Sequence, residues 1–151
     1  FGTREAEIIS VESLKVEGGE TSTYLSGEQG IIRAKVKFHA DVQDPIFGTI
    51  IRASDDTYAY DTNTMWRGVK TGFFKKGQEL ELDFHHKFFL AGGTYFVTVA
   101  IAYSDAARFC DFWTNVLSFQ IVDNGKQRGI ADLATTVTVS DIKKKRVLLE
   151  C

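Results

Sequence analysis

The chain has little of what stabilises small secreted domains or marks membrane proteins. Its 151 residues include two cysteines, one proline and three histidines. Two cysteines, Cys110 and the terminal Cys151, do not make a disulfide framework, which favours a reducing compartment, the cytoplasm. No apolar run approaches the length of about 18 residues that a membrane span needs. With 18 basic and 20 acidic residues, the sequence also lacks the positive excess typical of nucleic-acid binding.

The beginning of the chain carries no targeting signal. Its first residue is Phe1, and no signal-peptide pattern follows. We therefore expect the sequence to be a fragment of a longer protein. A chain of this length buries roughly 70% of its unfolded surface, which is enough for one core. We predict one domain over residues 1–151.

Motifs for catalysis and metal binding are also missing. The sequence contains no GxxxxGK[ST] or GxGxxG loop for phosphate and no GxSxG nucleophile elbow. His39, His85 and His86 lack metal-ligand spacing, and Asp55 with Asp56 is typical of a turn. The sequence therefore predicts no catalytic residue, no metal and no cofactor. A carboxylate pair for glycoside hydrolysis stays open, because the separation of such a pair depends on the fold.

The chain does contain clear alternation of apolar and polar residues. Residues 90–104, LAGGTYFVTVAIAYS, are a turn followed by a strand, whose inward residues are predicted to be Tyr95, Val97, Val99 and Ile101. The spacing of Leu90, Gly93 and Tyr95 resembles the tyrosine corner of β-sandwiches, in which the phenol hydroxyl bonds to nearby backbone.

Further strands are predicted along the rest of the chain. They cover residues 8–16, 30–40, 46–53, 57–61, 80–84, 116–122 and 130–140. Seven to nine short strands without an amphipathic helix predict an all-β fold, an immunoglobulin-like antiparallel β-sandwich. Residues 63–74 fit neither period and are predicted to be a long loop, where function often concentrates.

Two stretches carry a family resemblance. The first is DPIFGTII at residues 44–51, followed by YDTNT at 60–64, and the second is LAGGTYFV at 90–97. Their order, after the opening FGTREAEI and a Gly27-Glu28 turn, resembles the C-terminal domain of the Wzt-type nucleotide-binding subunit of O-antigen ABC exporters. The resemblance covers nearly the whole chain. One departure is Gly92, which stands where the family commonly has a proline.

The resemblance implies a non-catalytic carbohydrate-binding domain that recognises the non-reducing terminus of the O-antigen polysaccharide and couples chain completion to export. It places the ATPase in an N-terminal part outside this chain, beside a transmembrane exporter subunit at the cytoplasmic face of the inner membrane. It also implies a homodimer that exchanges the last strand, residues 130–140. The polar, glycine-containing residues 123–129 are typical of the hinge that such an exchange needs, and, without the resemblance, equally of an ordinary hairpin loop.

A sugar site needs an aromatic platform and planar polar side chains. The small outward residues Thr98, Ala100 and Ala102 are predicted to form its floor, next to Ser118 and Gln120 on the adjacent strand. The residues expected around this floor are Arg52, Tyr58, Tyr60, Asn63, Trp66, Arg67, Tyr103 and Trp113. If the sugar chain ends in an acidic group, Arg52 or Arg67 is the expected partner.

Two other functions remain open at this level. One is a structural or protein-interaction sandwich whose dimer face accounts for the aromatic residues, and the other is a glycan-active enzyme. The basic residues 143–146, KKKR, are predicted to be a solvated tail.

Overall fold

The computed structural model describes residues 1–142, and the basic residues 143–146 and Cys151 lie outside this range. The described chain forms ten strands: β1 (Ala6–Lys15), β2 (Thr23–Leu25), β3 (Gln29–Phe38), β4 (Val42–Gln43), β5 (Ile46–Ala53), β6 (Tyr58–Asn63), β7 (Phe73–Phe74), β8 (Glu79–Lys87), β9 (Gly93–Ala102) and β10 (Phe109–Val122). The predicted all-β fold is therefore confirmed.

The strands form two larger sheets and a small one. The three-stranded sheet has the order β1-β3-β8, the five-stranded sheet has the order β2-β10-β9-β5-β6, and β4 pairs with β7. Neighbours are antiparallel, apart from β2, which runs parallel to β10. One core of buried side chains from the two larger sheets joins them into the predicted sandwich.

Strand β3 shows why alternation predicts this fold. Its even-numbered residues Ile32, Ala34, Val36 and Phe38 are buried in the core. On the opposite face, Arg33 makes two hydrogen bonds of 2.8 and 3.0 Å to the carboxylate of Asp83 on β8. An antiparallel strand with one face on the core and one face in water requires this pattern.

The tyrosine corner is confirmed at the start of β9. The Tyr95 hydroxyl donates a 2.7 Å hydrogen bond to the carbonyl oxygen of Ala91, and burial raises the pKa of this phenol. The bond fixes the crossing from the three-stranded to the five-stranded sheet. As a result, β9 enters the centre of the five-stranded sheet with Val97, Val99 and Ile101 in the core.

Strand β10 is longer than its sequence pattern predicts. It begins at Phe109 instead of Val116, and its register with β9 shifts between Phe109 and Asp111 and again between Trp113 and Leu117. Extra residues in a bulge interrupt the two-residue period of a strand. This interruption hides the first half of β10 in the sequence.

The predicted last strand differs most from the structure. Ala131 forms an isolated bridge with Leu90, and up to residue 142 the described chain has no further ladder. Leu133, Val137 and Val139 are 84%, 81% and 91% exposed. Residues 133–142, called the arm, therefore carry apolar side chains that face solvent within this one chain.

Candidate functional site

The outward face of the five-stranded sheet brings several predicted site residues together. Core residues such as Ile51 and Val97 mark the inward face, so their neighbours along each strand point outward. By strand pairing, three outward rows cross β6, β5 and β9: Asn63, Gly48 and Ala100; Asp61, Ile50 and Thr98; and Tyr58, Arg52 and Phe96.

The predicted floor of the sugar site, formed by Thr98, Ala100 and Ala102, exposes less surface than expected. Thr98 is fully buried, and Ala102 is 8% exposed, although both lie on the predicted face. The Thr98 hydroxyl accepts hydrogen bonds from Arg52 Nη1 at 2.9 Å and from the Asn115 amide at 3.0 Å, so Arg52 and the β10 bulge cover it. The remaining depression consists of Ala100 and its cross-strand neighbour Gly48.

Arg52 is held rigidly beside this depression. Its Nη2 donates to the Tyr58 hydroxyl at 3.0 Å, and its guanidinium carbon lies 4.7 Å from the centre of the Tyr58 ring. Partial burial raises the pKa of the neighbouring Asp61, an effect that the charge of Arg52 opposes. The face therefore presents the ordered guanidinium of Arg52 and the carboxylate of Asp61. The positive charge of the guanidinium partly balances the negative charge of the carboxylate.

Strand β10 supplies residues that the sequence did not indicate. Because of the two register shifts, Phe112 lies opposite Ala100, and the ring of Phe1 stacks on Phe112 with centroids 5.1 Å apart. Ser118 and Gln120, which were expected beside the floor, lie opposite Phe96 and Thr94. Ser118 therefore borders the row that contains Arg52, and Gln120 lies nearer the end of the sheet.

Tyr60 and Arg67 lie on the other side of β6. Tyr60 pairs with Ile51, and its ring meets His86 edge-on at 5.9 Å. Arg67 donates to the Tyr60 hydroxyl and to Thr62 Oγ1 at 3.2 Å. These two predicted site residues therefore border the interior of the sandwich and not the outward face.

Tyr103 and Trp113 are also separated from the outward face. The Tyr103 hydroxyl bonds to Thr3, at 2.6 Å, and to Glu5 near the N-terminus. Trp113 pairs with the core residue Val99 of β9, but it is 41% exposed because the register shift of β10 begins at this residue.

Trp66 differs from Trp113 because it lies next to an outward row. Its amide donates a 2.8 Å hydrogen bond to Asn63 Oδ1, and the residue is 63% exposed. Trp66 therefore stands at the end of the row that Asn63 forms with Gly48 and Ala100.

A cleft of about 880 Å³ opens between β6 and β8, where the two larger sheets diverge. Apolar and aromatic side chains form much of its lining, among them Ile51, Tyr60, Phe84, Phe88, Leu90 and Ile130. His86 lies in this lining, and its Nε2 is buried without a hydrogen-bond partner among the described residues. Burial, reinforced by the charges of His85 and Arg67, lowers the pKa of His86 to about 4.

The depressed pKa predicts a pH-dependent stability. Between pH 6.5 and about 4, the unfolded chain binds a proton at His86 that the folded chain does not. The free energy of unfolding should therefore fall as the pH drops through this range, by up to about 3 kcal/mol. Urea unfolding at several pH values, compared with His86→Phe, isolates this effect from that of the carboxylates. Equal pH dependence in the two proteins would contradict it.

Comparison with solved structures identifies the fold. A crystal structure of the C-terminal domain of Wzt superimposes with a TM-score of 0.84 at 19% identity, over 93% of this chain and 87% of that chain. The alkylpurine DNA glycosylase AlkC from Pseudomonas fluorescens matches 78% of this chain and 30% of its own, with a TM-score of 0.50 and 12% identity. A β-glucosidase from Erythrobacter marinus matches 78% of this chain and 15% of its own, at 10% identity and a TM-score of 0.47.

No curated protein sequence matches the chain at a significant level. The family model of the Wzt C-terminal domain matches residues 1–133, a range that includes the tyrosine corner and all ten strands. The chain therefore belongs to the Wzt C-terminal domain family.

Proposed function

We propose that this domain binds the non-reducing terminus of an O-antigen polysaccharide and so couples completion of the sugar chain to its export. Membership of the Wzt C-terminal domain family supports a non-catalytic, carbohydrate-binding role in O-antigen export. The observation that carries the proposal is the outward face of the five-stranded sheet. There the depression at Gly48 and Ala100 is flanked by polar and aromatic side chains.

The chemistry of this face fits a sugar ring. Tyr58 is 56% exposed, and the half-buried rings of Phe96 and Phe112 add apolar surface for the C–H face of a sugar. The carboxylate of Asp61 accepts hydrogen bonds from hydroxyl groups, and the amide of Asn63 both donates and accepts them. The missing side chain at Gly48 leaves room for the ring to approach the sheet.

The charges of the face favour an uncharged terminal sugar. Arg52 already donates to Thr98 and Tyr58, and its side chain is 13% exposed. The neighbouring carboxylate of Asp61 repels anions. We therefore expect Arg52 to orient Tyr58 and meet sugar hydroxyls, in place of the bidentate contact to an acidic group that the sequence suggested.

We propose that the domain works within a longer nucleotide-binding subunit, whose ATPase lies outside this chain, next to a transmembrane exporter subunit at the cytoplasmic face of the inner membrane. Among the described residues, no helix has the length and apolar character to cross a bilayer. We further propose a homodimer formed by exchange of the last strand. The exposed apolar side chains of the arm and the open cleft support this assembly.

Titration of the purified domain with the polysaccharide of the same cell tests the proposed function. We expect saturable binding and no release of reducing sugar over the same period. Binding with release would indicate a glycan-active enzyme. A dimer that does not bind the polysaccharide would favour a protein-interaction sandwich. This function is the main alternative because the arm exposes apolar side chains.

Trp66 provides a prediction at the rim of the proposed site. Trp66→Ala should weaken glycan binding by about 1 kcal/mol, the scale of one stacking contact, and leave the melting temperature unchanged because the ring is exposed. Trp113→Ala is the matched control, since Trp113 is also exposed, at 41%, but pairs with the inward residue Val99 and not with an outward row, and it should not change binding. Calorimetry of both variants checks this, and a larger binding loss for Trp113→Ala would reverse the assignment of faces.

A further inference from the structure

A short segment ahead of β1 lies along the edge of β10. Strand β2 pairs with the last three residues of β10, and residues 1–4, which we call the strap, lie beside the first ones. The Thr3 amide donates to the Phe109 carbonyl oxygen at 3.1 Å, and the Arg4 amide donates to the Cys110 carbonyl oxygen at 2.7 Å. The strap therefore extends the five-stranded sheet beyond β10.

Two further features hold the strap in one position. The hydroxyl groups of Thr3 and Tyr103 form a 2.6 Å hydrogen bond. Gly2 adopts a φ of 135°, and a Cβ at this position would lie 2.4 Å from the Cys110 carbonyl oxygen. Glycine is therefore required for the strap to approach β10 this closely, and this approach places Phe1 beside the strand.

The ring of Phe1 completes a cluster of three phenyl rings, which we call the Phe cluster. Phe1 stacks on Phe112 with an interplanar angle of 19° and meets Phe109 edge-on at 5.9 Å. Phe109 and Phe112 pair with Ala102 and Ala100 of β9, both of which lie on the outward side. Because Phe1 is 68% exposed, the Phe cluster offers an apolar surface on this side of the sheet.

The Phe cluster continues one of the outward rows. The row of Asn63, Gly48 and Ala100 extends to Phe112 on β10 and, through ring stacking, to Phe1. Neighbouring strands lie about 4.8 Å apart, so the strap is about 10 Å from Ala100. A ligand that occupies the depression and extends along the row therefore reaches the Phe cluster.

The other end of this row is closed by a turn. The Arg67 amide donates to the Asn63 carbonyl oxygen at 3.1 Å, and the Trp66 amide donates to the Asn63 side chain. Within the described chain, the row therefore ends at this turn on the β6 side and continues over the Phe cluster on the β10 side. A site for the end of a polymer needs this asymmetry, because the rest of the polymer must leave it in one direction.

We infer that the Phe cluster binds the second sugar of the polysaccharide, with the non-reducing terminal sugar directed toward Asn63 and the chain leaving across β10 and the strap. The inference rests on the proposed function and adds a second subsite and the direction of the bound chain. Phenyl rings carry no hydrogen-bonding group, so they select an uncharged sugar that presents an apolar C–H face.

Calorimetry with three probes tests the second subsite. The probes are the methyl glycoside of the terminal sugar, and fragments of two and of four residues from the non-reducing end of the polysaccharide of the same cell. Phe1→Ala should lower the affinity for both fragments about fivefold, the scale of one stacking contact, and leave the affinity for the methyl glycoside unchanged. The unmodified domain should bind the two fragments equally, because the Phe cluster contacts no sugar beyond the second.

Further variants separate stacking from a structural role. Gly2→Ala keeps the ring of Phe1 but displaces the strap from Cys110, so it should cause the same loss for the fragments. Phe73→Ala is the matched control, because Phe73 is 49% exposed but belongs to the small sheet, and it should change no affinity. If Phe1→Ala lowers the melting temperature, Phe1→Leu replaces it, since leucine retains apolar packing but has no flat ring.

Trp66→Ala tests the direction of the chain. Because Trp66 stands at the closed end of the row, its removal should weaken binding of all three probes equally. A loss confined to the fragments in Trp66→Ala would reverse the direction and overturn the inference. An equal loss for all three probes in Phe1→Ala would also overturn it, because Phe1 would then contact the terminal sugar.

The same titrations distinguish failure of the inference from failure of the proposed function. If Ala100→Phe abolishes binding but Phe1→Ala does not weaken it, the second subsite is wrong and the proposed function stands. If the unmodified domain binds none of the three probes, both are wrong.

Discussion

Replacing Ala100 by Phe is expected to abolish carbohydrate binding and leave the domain folded. Ala100 is half-buried on the outward face, between Gly48 and Phe112, so a phenyl ring fills the space proposed for the sugar without entering the core. We expect the free energy of unfolding to change by no more than about 0.5 kcal/mol. Affinity for the polysaccharide should fall at least tenfold, which corresponds to about 1.4 kcal/mol.

Ala107→Phe is the matched control, because Ala107 lies on an exposed turn and the same change should leave binding intact. Calorimetry measures the affinity of both variants for the polysaccharide, and thermal unfolding measures their stability. Loss of dimerisation with binding retained would make this face a protein interface. A large loss of stability from Ala100→Phe would mean that the residue belongs to the core.

The second large effect concerns the arm. Val137→Asp/Val139→Asp should convert the dimer to a monomer, because each valine is expected to be buried in the partner and to contribute about 1.5 kcal/mol or more. Burial of an unpaired carboxylate adds a further penalty. Size-exclusion chromatography with light scattering should then give a mass of 16.9 kDa.

Thr136→Asp/Thr138→Asp is the control on the same arm. These residues alternate with the valines and are expected to face water in the dimer, so their variant should remain dimeric. Persistence of the dimer in Val137→Asp/Val139→Asp would contradict strand exchange. Dissociation of both variants would indicate that charge on the arm is harmful regardless of its face.

Local patterns were sufficient to predict much of the fold. Alternation identified β3, β5 and β9, and the spacing of Leu90, Gly93 and Tyr95 identified the tyrosine corner, because each feature depends on residues close together in the chain. The first half of β10 and the short strands β2, β4 and β7 were not predicted. The first is interrupted by bulges, and the others consist of two or three residues each, too short to show a period.

The candidate site was harder to predict because it depends on register. Tyr58 and Tyr60 are two residues apart, so a regular strand would place both on one face. The pairing of β5 with β6 shifts between Ile51 and Arg52, leaving Ala59 as an extra residue between the two tyrosines. Tyr58 therefore contacts the outward residue Arg52 at the rim of the cleft, and Tyr60 faces into the cleft. Gly48 and Asp61 join the site through the same cross-strand pairing, which no local motif reveals.

The most direct test of the central claim is to measure how the affinity of the purified domain depends on the two ends of the polysaccharide. Oligosaccharides of equal length, with and without the natural residue at the non-reducing terminus, are titrated into the domain by calorimetry. Our account predicts that removing this terminal residue abolishes binding, whereas shortening the chain from its reducing end has no effect. Equal affinity for both forms, or affinity that rises with the number of internal repeats, would contradict terminal recognition.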